Sequence, residues 1–433
     1  VYKPSDYMVI GPNKFFVNYI SGILPDLDVN GVSEYTIEEV FEKYVGEDYT
    51  INNNLDKIID HDNVSKIKTS LELKNKIDEY FKTIEILPEN DFTIKGEVII
   101  NKGVIKNFYN DINQNYYKSI RSKVERLILL MTKYIETNKE SIISNLIKRN
   151  VSSEVINDVK NNIGLHLKKY FKVLNLKIKK IYISILEDMN LNTNEISNNK
   201  IDIEDIPPLL YIRYLLIDDN IFENYKHIVI DEAQDYGQFA FYVLNKMFKN
   251  ATFSIYGDLA QSLYSYRSID NWECLNDIFN DVEILKLNKS YRTTIEIMDE
   301  ANKINKKLNL TEAIPVIRHG DAVEYINKNI IELMNELNKK YKTIAIITKT
   351  QDEADKLYEK LKDEININLI NKANLNYDSN INILPSYLSK GLEFDSVIIV
   401  DSFDKENVID LKLLYVSMTR ALHKLVIVGD NNL

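Results

Sequence analysis

Apolar residues along the chain follow two different spacings, and the change between them divides the sequence. Between residues 46 and 206, glycine and proline are sparse, and apolar residues from Ile105 to Tyr134 recur at three- and four-residue steps. This spacing predicts one long helix over that stretch. Similar patterns predict helices over 139–149, 153–174 and 177–189, and the polar stretch 190–204 is predicted to be a loop. The region 46–206 is therefore predicted to be mostly helical.

From residue 207 onward, short apolar runs of strand length dominate. They predict strands at 226–230, 252–256, 282–287, 343–348, 381–385, 396–400 and 424–428. Helical patterns lie between most of them, at 294–307, 351–363 and 411–422. Near the start, strands are predicted at 7–11 and 32–35, with a helical pattern through Phe15, Phe16, Tyr19 and Ile20. Alternating strands and helices of this size predict an α/β fold with parallel sheets covered by helices.

The strand at 226–230 ends in a group of polar residues, Asp231, Glu232, Gln234 and Asp235. Ligands of open parallel sheets bind at the carboxyl ends of the strands. Carboxylates placed there can hold Mg²⁺ and orient an attacking water. The structural alternative is a buried strand that ends in an acidic turn. The complete run Asp-Glu-Ala-Gln-Asp after a buried strand favours the functional interpretation.

The next strand, 252–256, also ends in polar residues, with Gly257, Asp258 and Gln261. A glutamine side chain both donates and accepts hydrogen bonds, so Gln261 is suited to sensing a terminal phosphate. Tyr264 and Tyr266 follow at alternate positions, where aromatic rings could stack on bases. The chain contains 28 tyrosines, so a core role is the alternative for these two.

Three further polar positions lie in the last third of the chain. Arg292 directly precedes Thr293-x-x-Glu296, which matches a capping box and predicts a helix start there. Glu393 follows Gly391 just before the strand at 396–400, and Arg420 lies in the predicted helix 411–422. An arginine beside a nucleotide stabilises the charge of phosphoryl transfer. A surface salt bridge or a solvated helix face is the alternative for either arginine alone.

Taken in order, these motifs resemble those of the UvrD-type superfamily 1 helicases. The matching runs are DEAQD at 231–235, GDLAQSLYSYR at 257–267, YRTT at 291–294, KGLEFD at 390–395 and YVSMTRA at 415–421. Within that group the chain resembles HelD, a helicase-like ATPase that recycles RNA polymerase. This narrower resemblance depends on VIGPNKFFVNYISGILP at 9–25, DIPPLLYIRYL at 205–215, PSYLSKGLEFD at 385–395 and TRALHKL at 419–425.

The resemblance implies a role for each matched residue, with ATP and Mg²⁺ as the ligands. Asp231 would bind Mg²⁺, Glu232 would activate water, and Gln261 would couple the γ-phosphate to the nucleic-acid site. Arg292 and Arg420 would be the two arginine fingers, and Tyr264 and Tyr266 would stack on bases. Glu393 would contact the ribose, and Gln234 and Gly391 would also lie at the nucleotide.

The resemblance also implies the domain organisation. We expect two RecA-like parallel-sheet domains, the first incomplete, with a large helical insertion. The first domain would comprise 1–45 and 207–280, the insertion 46–206, and the second domain 281–433. UvrD-type enzymes carry an additional domain between the motifs at Arg292 and Lys390, and about 100 residues leave no room for one. Tyr387 and Pro385 also replace the His and Thr of UvrD-type enzymes, as in HelD.

A phosphate-binding loop has the pattern Gly-x-x-x-x-Gly-Lys-Ser/Thr. None of the twelve glycines begins a Gly-Lys-Ser/Thr run. In the family this loop lies upstream of the strand that corresponds to residues 7–11, so we expect the chain to begin after it. The expectation is an ATPase in the full-length protein and no ATP hydrolysis by this chain alone.

The composition limits the classes of partner that the chain can bind. The chain has 433 residues, 45% of them hydrophobic, and a net charge of -11, so contact with nucleic acid must come from a local patch. A single cysteine, the absence of a signal peptide and the lack of long apolar runs predict a cytoplasmic protein without membrane contact. The expected partner is the RNA polymerase core, with weak binding of single-stranded DNA. The alternatives are a DNA helicase or repair translocase and an inactive ATPase that serves as a binding module.

Overall fold

The fold was analysed in a computed structural model. It describes residues 3–12, 14, 17, 21, 31–45, 49–52, 63–113, 119–217, 224–264, 267–316, 318–326, 330–371 and 380–429. The helical pattern predicted through Phe15, Phe16, Tyr19 and Ile20 lies outside the described residues.

The strands of the described part are numbered in chain order. They are β1 (Tyr7–Gly11), β2 (Ser33–Thr36), β3 (Thr50–Asn52), β4 (Phe92–Ile94), β5 (Glu97–Ile100), β6 (Lys200–Asp202), β7 (His227–Ile230), β8 (Thr252–Ile255), β9 (Lys289–Ser290), β10 (Ile314–Pro315), β11 (Glu324–Ile326), β12 (Ile344–Thr348), β13 (Asn368–Leu369), β14 (Ile381–Pro385), β15 (Phe394–Val400) and β16 (Ala421–Val428).

The helices are numbered in the same way. They are α1 (Ile37–Val45), α2 (Asn63–Lys68), α3 (Leu71–Thr83), α4 (Lys102–Asn113), α5 (Ile120–Thr137), α6 (Lys139–Lys148), α7 (Ser153–Asn161), α8 (Ile163–Tyr170), α9 (Ile178–Asp188), α10 (Asn194–Ser197), α11 (Ile206–Leu216), α12 (Gln238–Met247), α13 (Ile295–Lys307), α14 (Ile330–Leu337), α15 (Gln351–Leu361) and α16 (Val408–Met418).

The first sheet has four parallel strands in the order β2-β1-β7-β8. Ile10 and Ile228 of its inner strands are buried, and the same core contains Leu209 of α11 and Phe239 of α12. Strand β8 lies at one edge of this sheet. Because all four strands run in one direction, their carboxyl ends meet at one edge, as expected for a ligand site.

The second sheet has six parallel strands in the order β11-β16-β15-β12-β14-β13. Every residue of β12 and β14 is buried. Strands buried on both faces are typical of parallel sheets that helices cover on each side. The prediction of an α/β fold with parallel sheets is therefore confirmed.

Helices make up most of the described part of the region 46–206. Leu127 of α5 and Tyr182 of α9 belong to the same hydrophobic core as Ile228 of the first sheet. Two small strand pairs accompany the helices, an antiparallel hairpin of β4 and β5 and a parallel pair of β3 and β6. The helical region and the first sheet therefore share one continuous core.

The prediction of one long helix over 105–134 is wrong. Helix α5 begins anew after Ser119, whose backbone is extended and whose hydroxyl accepts a hydrogen bond from the amide of Ser122 at 3.2 Å. This serine is an N-cap, and it interrupts a continuous apolar stripe. The helix predicted at 153–174 is likewise divided into α7, α8 and a 3₁₀ turn at Lys172–Asn175.

Two other local predictions are also wrong. The stretch 190–204, predicted as a loop, contains α10 and β6, because β6 pairs with β3 about 150 residues earlier in the chain. The apolar run 282–287, predicted as a strand, forms no strand, and the side chains of Leu285 and Leu287 are 75% and 86% exposed. An apolar run adopts strand structure only when a neighbouring strand offers its backbone groups.

Candidate nucleotide site

The turn after β7 is held between two neighbouring strands of the first sheet. The amide of Asp231 donates to the carbonyl of Ile10 at 3.0 Å, and the amide of Ala233 donates to the carbonyl of Tyr256 at 2.9 Å. Glu232 between them has a φ of 51°, in the left-handed region. A non-glycine residue in this conformation is strained and needs support from its surroundings. The fold thus fixes the two carboxylates at the end of the sheet.

The side chain of Gln234 connects the two polar turns. It is fully buried, and its Nε2 donates to Oε2 of Glu232 at 2.6 Å. Its Oε1 accepts from the amide of Asp258 at 3.0 Å. A Cβ at Gly257 would collide with this Oε1, so only glycine fits at the end of β8. Gln234 therefore orients Glu232, and its position excludes a side chain at Gly257.

Gln261 connects the first sheet to the second. Its Nε2 donates to Oδ2 of Asp258 at 3.0 Å, and its Oε1 accepts from Nη2 of Arg420 at 3.1 Å. Arg420 follows the second sheet's helix α16. The side-chain amide of Gln261 thus contacts Asp258, after β8 of the first sheet, and Arg420, next to β16 of the second sheet.

Arg420 is a buried cation, with 1% of its surface exposed. It lies in the turn between α16 and β16, so its predicted position within a helix is wrong. Its Nε donates to the carbonyl of Val416 at 3.0 Å, and its Nη1 donates to the carbonyl of Leu392 at 3.4 Å. The planar guanidinium, with five donors, satisfies several acceptors in different directions, which a lysine cannot do.

Arg292, which lies between β9 and α13, contacts the same carbonyl group of Leu392. Its Nη2 donates to the carbonyl of Leu392 at 3.0 Å and lies 2.7 Å from Oε1 of Glu393. The two arginines predicted as a pair therefore meet at one carbonyl oxygen. Gly391, just before it, has a φ of 83°, which favours glycine in this turn.

The capping box predicted from Thr293 and Glu296 is wrong. Helix α13 begins at Ile295 with Thr294 as its N-cap, and that side chain makes no capping hydrogen bond. Glu296 instead accepts from the amide of Gly320 at 2.8 Å and contacts Nδ1 of His319 at 2.9 Å. Glu296 thus bonds to His319 and Gly320, in a loop that is distant in sequence, and does not cap the start of its own helix.

Lys390 is a residue of the site that sequence reasoning did not select. Its Nζ lies 2.6 Å from Oδ2 of Asp235 and 3.1 Å from Oε2 of Glu232. It also donates to the carbonyl of Gln261 at 3.0 Å. The available signals were the run Lys-Gly-Leu-Glu-Phe-Asp and the last carboxylate of Asp-Glu-Ala-Gln-Asp, but sequence spacing does not show that these two motifs meet.

Burial and charge act in opposite directions on the acids. Burial raises the pKa of Asp231 and of Asp235. Burial would also raise the pKa of Glu232, but the charge of Lys390 and hydrogen bonds from Gln234 and Lys390 lower it overall. The negative charges of Asp235 and Glu232 outweigh the effect of burial and raise the pKa of Lys390. Glu232 is therefore held as a carboxylate, the form that accepts a proton.

The arginines are affected differently. Burial, with a smaller contribution from the nearby charge of Arg292, lowers the pKa of Arg420 to about 10. Burial also lowers the pKa of Arg292. The buried cation of Arg420 lies close to the half-buried Arg292, and a bound anion would compensate the two charges.

The two predicted stacking tyrosines differ in what the structure describes. Tyr264 is 9% exposed and belongs to the core of the second sheet, and the guanidinium of Arg267 lies 4.2 Å from its ring centre. Base stacking on this ring requires Arg267 to move, so the role stays a prediction. Tyr266 lies outside the described residues.

The residues present fit a magnesium–nucleotide complex. Asp231 supplies one half-buried carboxylate, and no cluster of three or more His, Cys, Asp or Glu side chains suited to a metal occurs in the described part of the chain. Mg²⁺ in nucleotide sites typically takes one or two carboxylates and completes its shell with phosphates and water. A single acid beside a glutamate base is consistent with this pattern. Within the same ranges, no helix is long and apolar enough to cross a membrane.

Comparison with known proteins agrees with this geometry. Residues 67–277 match the UvrD/REP helicase N-terminal domain, and residues 381–428 match the UvrD-like helicase C-terminal domain. The two matched segments contain the acidic turn and the Arg420 turn, respectively. The chain belongs to the UvrD-type superfamily 1 helicases.

Individual relatives are similar over part of their length. The ATP-dependent DNA helicase srs2 of Schizosaccharomyces pombe is 32% identical over 110 residues, covering 25% of this chain and 12% of that protein. The ATP-dependent DNA helicase Rep of Buchnera aphidicola is 28% identical over 183 residues, covering 37% of this chain and 28% of that protein. The chain thus spans less than a third of either relative.

Among solved structures, the C-terminal domain of a possible DNA helicase from Lactobacillus plantarum matches with 29% identity and a TM-score of 0.26. The match covers 33% of this chain and 89% of that one.

Proposed function

We propose that this chain forms part of an ATP-driven motor of superfamily 1 that moves along DNA. The observation that supports this most directly is the meeting of two acids and two arginines from different sheets. Asp231 and Glu232 follow a strand of the first sheet. Arg420, next to β16 of the second sheet, contacts Gln261 of the first, and Arg292, which follows β9, meets Arg420 at the carbonyl of Leu392. ATP hydrolysis between two such halves couples bond cleavage to relative movement of the sheets.

Each residue has a proposed task in that reaction. Asp231 holds Mg²⁺, and Glu232, kept ionised, accepts the proton of the attacking water. Arg292 and Arg420 stabilise the charge that develops on the transferred phosphoryl group. Gln261 couples the presence of the γ-phosphate to both sheets, through its contacts with Asp258 and Arg420. Glu393, Gly391 and Gln234 shape the cleft around the nucleotide, and Mg²⁺ neutralises phosphate charge when it is bound.

We further propose that the chain of 433 residues does not hydrolyse ATP by itself, because it contains no Gly-x-x-x-x-Gly-Lys-Ser/Thr loop. The test compares this chain with the protein encoded by its complete reading frame, each with Mg²⁺, ATP and single-stranded DNA. We expect turnover only by the complete protein, increased by DNA. Turnover by the shorter chain at ordinary helicase rates would contradict this part of the proposal.

The site assignment has its own test in the complete protein. Glu232→Gln should reduce kcat about 10²–10⁴-fold, the usual contribution of a general base. Glu283→Gln changes an exposed glutamate outside the site and should leave kcat unchanged. An active protein in which Glu232→Gln retains full turnover would exclude Glu232 as the base.

Action on the RNA polymerase core is a second candidate. Only residue-level resemblance favours it, above all the short interval between Arg292 and Lys390, whose described residues include the strands β11 to β14 of the second sheet and the helices α13 to α15. The curated relatives cited above are DNA helicases, so the DNA motor is placed first. Co-purification of the complete protein with core RNA polymerase, with and without ATP, tests this candidate. A stable complex that responds to nucleotide would move it to first place.

A further inference from the structure

Lys390 makes a buried bridge between the two sheets. Its ammonium lies 2.6 Å from the carboxylate of Asp235 and 3.1 Å from that of Glu232, and the lysine side chain is only 9% exposed. A lysine with this little exposure needs partners for its charge, and here the partners are acids that follow a strand of the other sheet.

The loop that carries Lys390 is fixed to the second sheet. Ser389, the preceding residue, is fully buried, and its hydroxyl donates to the carbonyl of Ser386 at 2.6 Å. The amide of Leu392 donates to the carbonyl of Ser389 at 3.0 Å, and β15 begins two residues later. Lys390 therefore moves with the second sheet as one body.

The acids that receive Lys390 are equally fixed to the first sheet. Asp235 is 6% exposed and ends the 3₁₀ turn that follows β7. The amide of Ala233, in the same turn, donates to the carbonyl of Tyr256 after β8. Opening the cleft between the sheets must therefore separate Lys390 from Asp235, because neither group is on a loose segment.

The energetics of such a pair suit a reversible contact. A buried ion pair gains strong mutual attraction but loses the hydration of both ions, and the two effects nearly cancel. Water can rehydrate Lys390 and Asp235 when the cleft opens, so opening is not strongly opposed. Loss of one partner alone is different, because the closed state then buries an uncompensated charge.

We propose that Lys390 is a latch residue, a positioning group that holds the two sheets closed through Asp235 and at the same time orients Glu232. The latch rests on the proposed function only in naming the space between the sheets as a nucleotide cleft. The latch itself is a statement about how the two sheets are held together.

The test measures the separation of the sheets directly, in this chain and without nucleotide. Spin labels are attached at Asn250→Cys beside the first sheet and at Lys360→Cys on α15, both exposed, in a Cys274→Ser background. Pulsed dipolar spectroscopy then gives the distribution of distances. We expect one narrow distance with Lys390 present, and a second, longer population that becomes the major one in Lys390→Met.

Lys405→Met is the matched control, because Lys405 pairs with Asp401 entirely within the second sheet and its side chain is 16% exposed. This control should keep the narrow distribution. An unchanged distribution in Lys390→Met overturns the latch, and so does an equal change in Lys405→Met. If Lys390→Met does not fold, Asp235→Asn removes the partner instead and should open the cleft in the same way.

Coupling between the partners gives a second criterion. The double variant Lys390→Met with Asp235→Asn leaves neither member of this pair buried without the other, and Glu232 keeps its hydrogen bond from Gln234, so its open population should be no larger than that of either single variant. Additive opening would show that the two residues act separately and would overturn the latch. Loss of Glu232-dependent turnover in the complete protein concerns the proposed function, whereas the distance measurement needs no nucleotide, so the two can fail independently.

Discussion

At the scale of single residues, Arg420 should be the most costly arginine to remove. Alanine at this position leaves the amide oxygen of Gln261 without its donor, whereas the carbonyls of Val416 and Leu392 each lose one of two donors and keep Thr419 and Arg292, respectively. Buried polar groups that lose a partner cost roughly 1–3 kcal/mol of folding free energy. We expect a loss of this size for Arg420→Ala in urea unfolding. Lysine should not restore it, because one ammonium cannot reach all three acceptors.

Arg149→Ala is the control for that measurement. The side chain of Arg149 is 58% exposed and pairs with Glu97 at the surface. Its removal should change stability by less than about 0.5 kcal/mol. If Arg420→Lys were as stable as the unchanged protein, the separate hydrogen bonds of the guanidinium would not matter for stability.

Glu296 should contribute a pH-dependent part of the stability. Its contact with His319 and its hydrogen bond from the amide of Gly320 lower the pKa of Glu296 to about 2, from an ordinary value of 4.5. Above pH 4.5 the residue is ionised in both the folded and unfolded states, and only the folded state stabilises the charge. As the pH falls from 4.5 towards 2, the unfolded state takes up the proton first, and this contribution is lost.

The expected result is a stability difference between the unchanged protein and Glu296→Gln that is present at pH 6 and much smaller at pH 3. Urea unfolding at the two pH values measures it. Glu359→Gln, at an exposed glutamate of α15, should show the same small difference at both. A difference for Glu296→Gln that stays constant between pH 6 and pH 3 would contradict the assignment.

Single residues also show which parts of the site the sequence alone predicts and which it does not. The acids after β7 were predictable, because an apolar run that ends in carboxylates is visible within nine residues. Lys390 was not, because its partner Asp235 lies 155 residues away and belongs to another sheet. Local spacing carries information about helix faces and strand ends. It carries none about which loop of one sheet meets which turn of another.

At the scale of elements, most strands of both sheets were predictable, because parallel strands that are buried on two faces appear as continuous apolar runs. The short edge strands β11 and β13 of the second sheet were not predicted. The failure at 282–287 has the complementary cause. Val-Glu-Ile-Leu-Lys-Leu has the composition of a strand, but no described neighbour pairs with it. Composition expresses a tendency, and the presence of a partner edge decides whether a strand forms.

The exposed run at 282–287 should promote self-association. Leu285 and Leu287 are 75% and 86% exposed, and the groove of about 600 Å³ beside them includes the edge strand β8. An apolar segment next to a sheet edge is a typical association site. We expect Leu285→Lys with Leu287→Lys to lower concentration-dependent association in sedimentation velocity, with no loss of thermal stability.

Leu165→Lys is the matched control, since Leu165 is 57% exposed but lies in the helical region away from that groove. It should leave association unchanged. Equal behaviour of the two variants would show that association does not depend on the 282–287 segment.

At the scale of the whole molecule, the helical region and the first sheet form one packing unit, and the second sheet has its own cores. This sharing was not predictable from sequence, since the common core joins residues of α5 and α9 to residues of β1 and β7 that are far away in the chain. The single tryptophan, Trp272, packs against the first unit. Its fluorescence therefore reports on one unit, whereas far-UV circular dichroism reports on both.

Substitutions in the two units should consequently separate these signals. Leu244→Ala, in the first core, and Ile398→Ala, in the second sheet, each remove a fully buried side chain, at a cost of about 2–5 kcal/mol. We expect Leu244→Ala to lower the urea midpoint of the Trp272 fluorescence transition. Ile398→Ala should leave that midpoint nearly unchanged and lower only part of the circular dichroism transition. If both variants shift the fluorescence equally, contacts across the cleft, including those of Lys390 and Gln261, are strong enough to make the two units unfold as one.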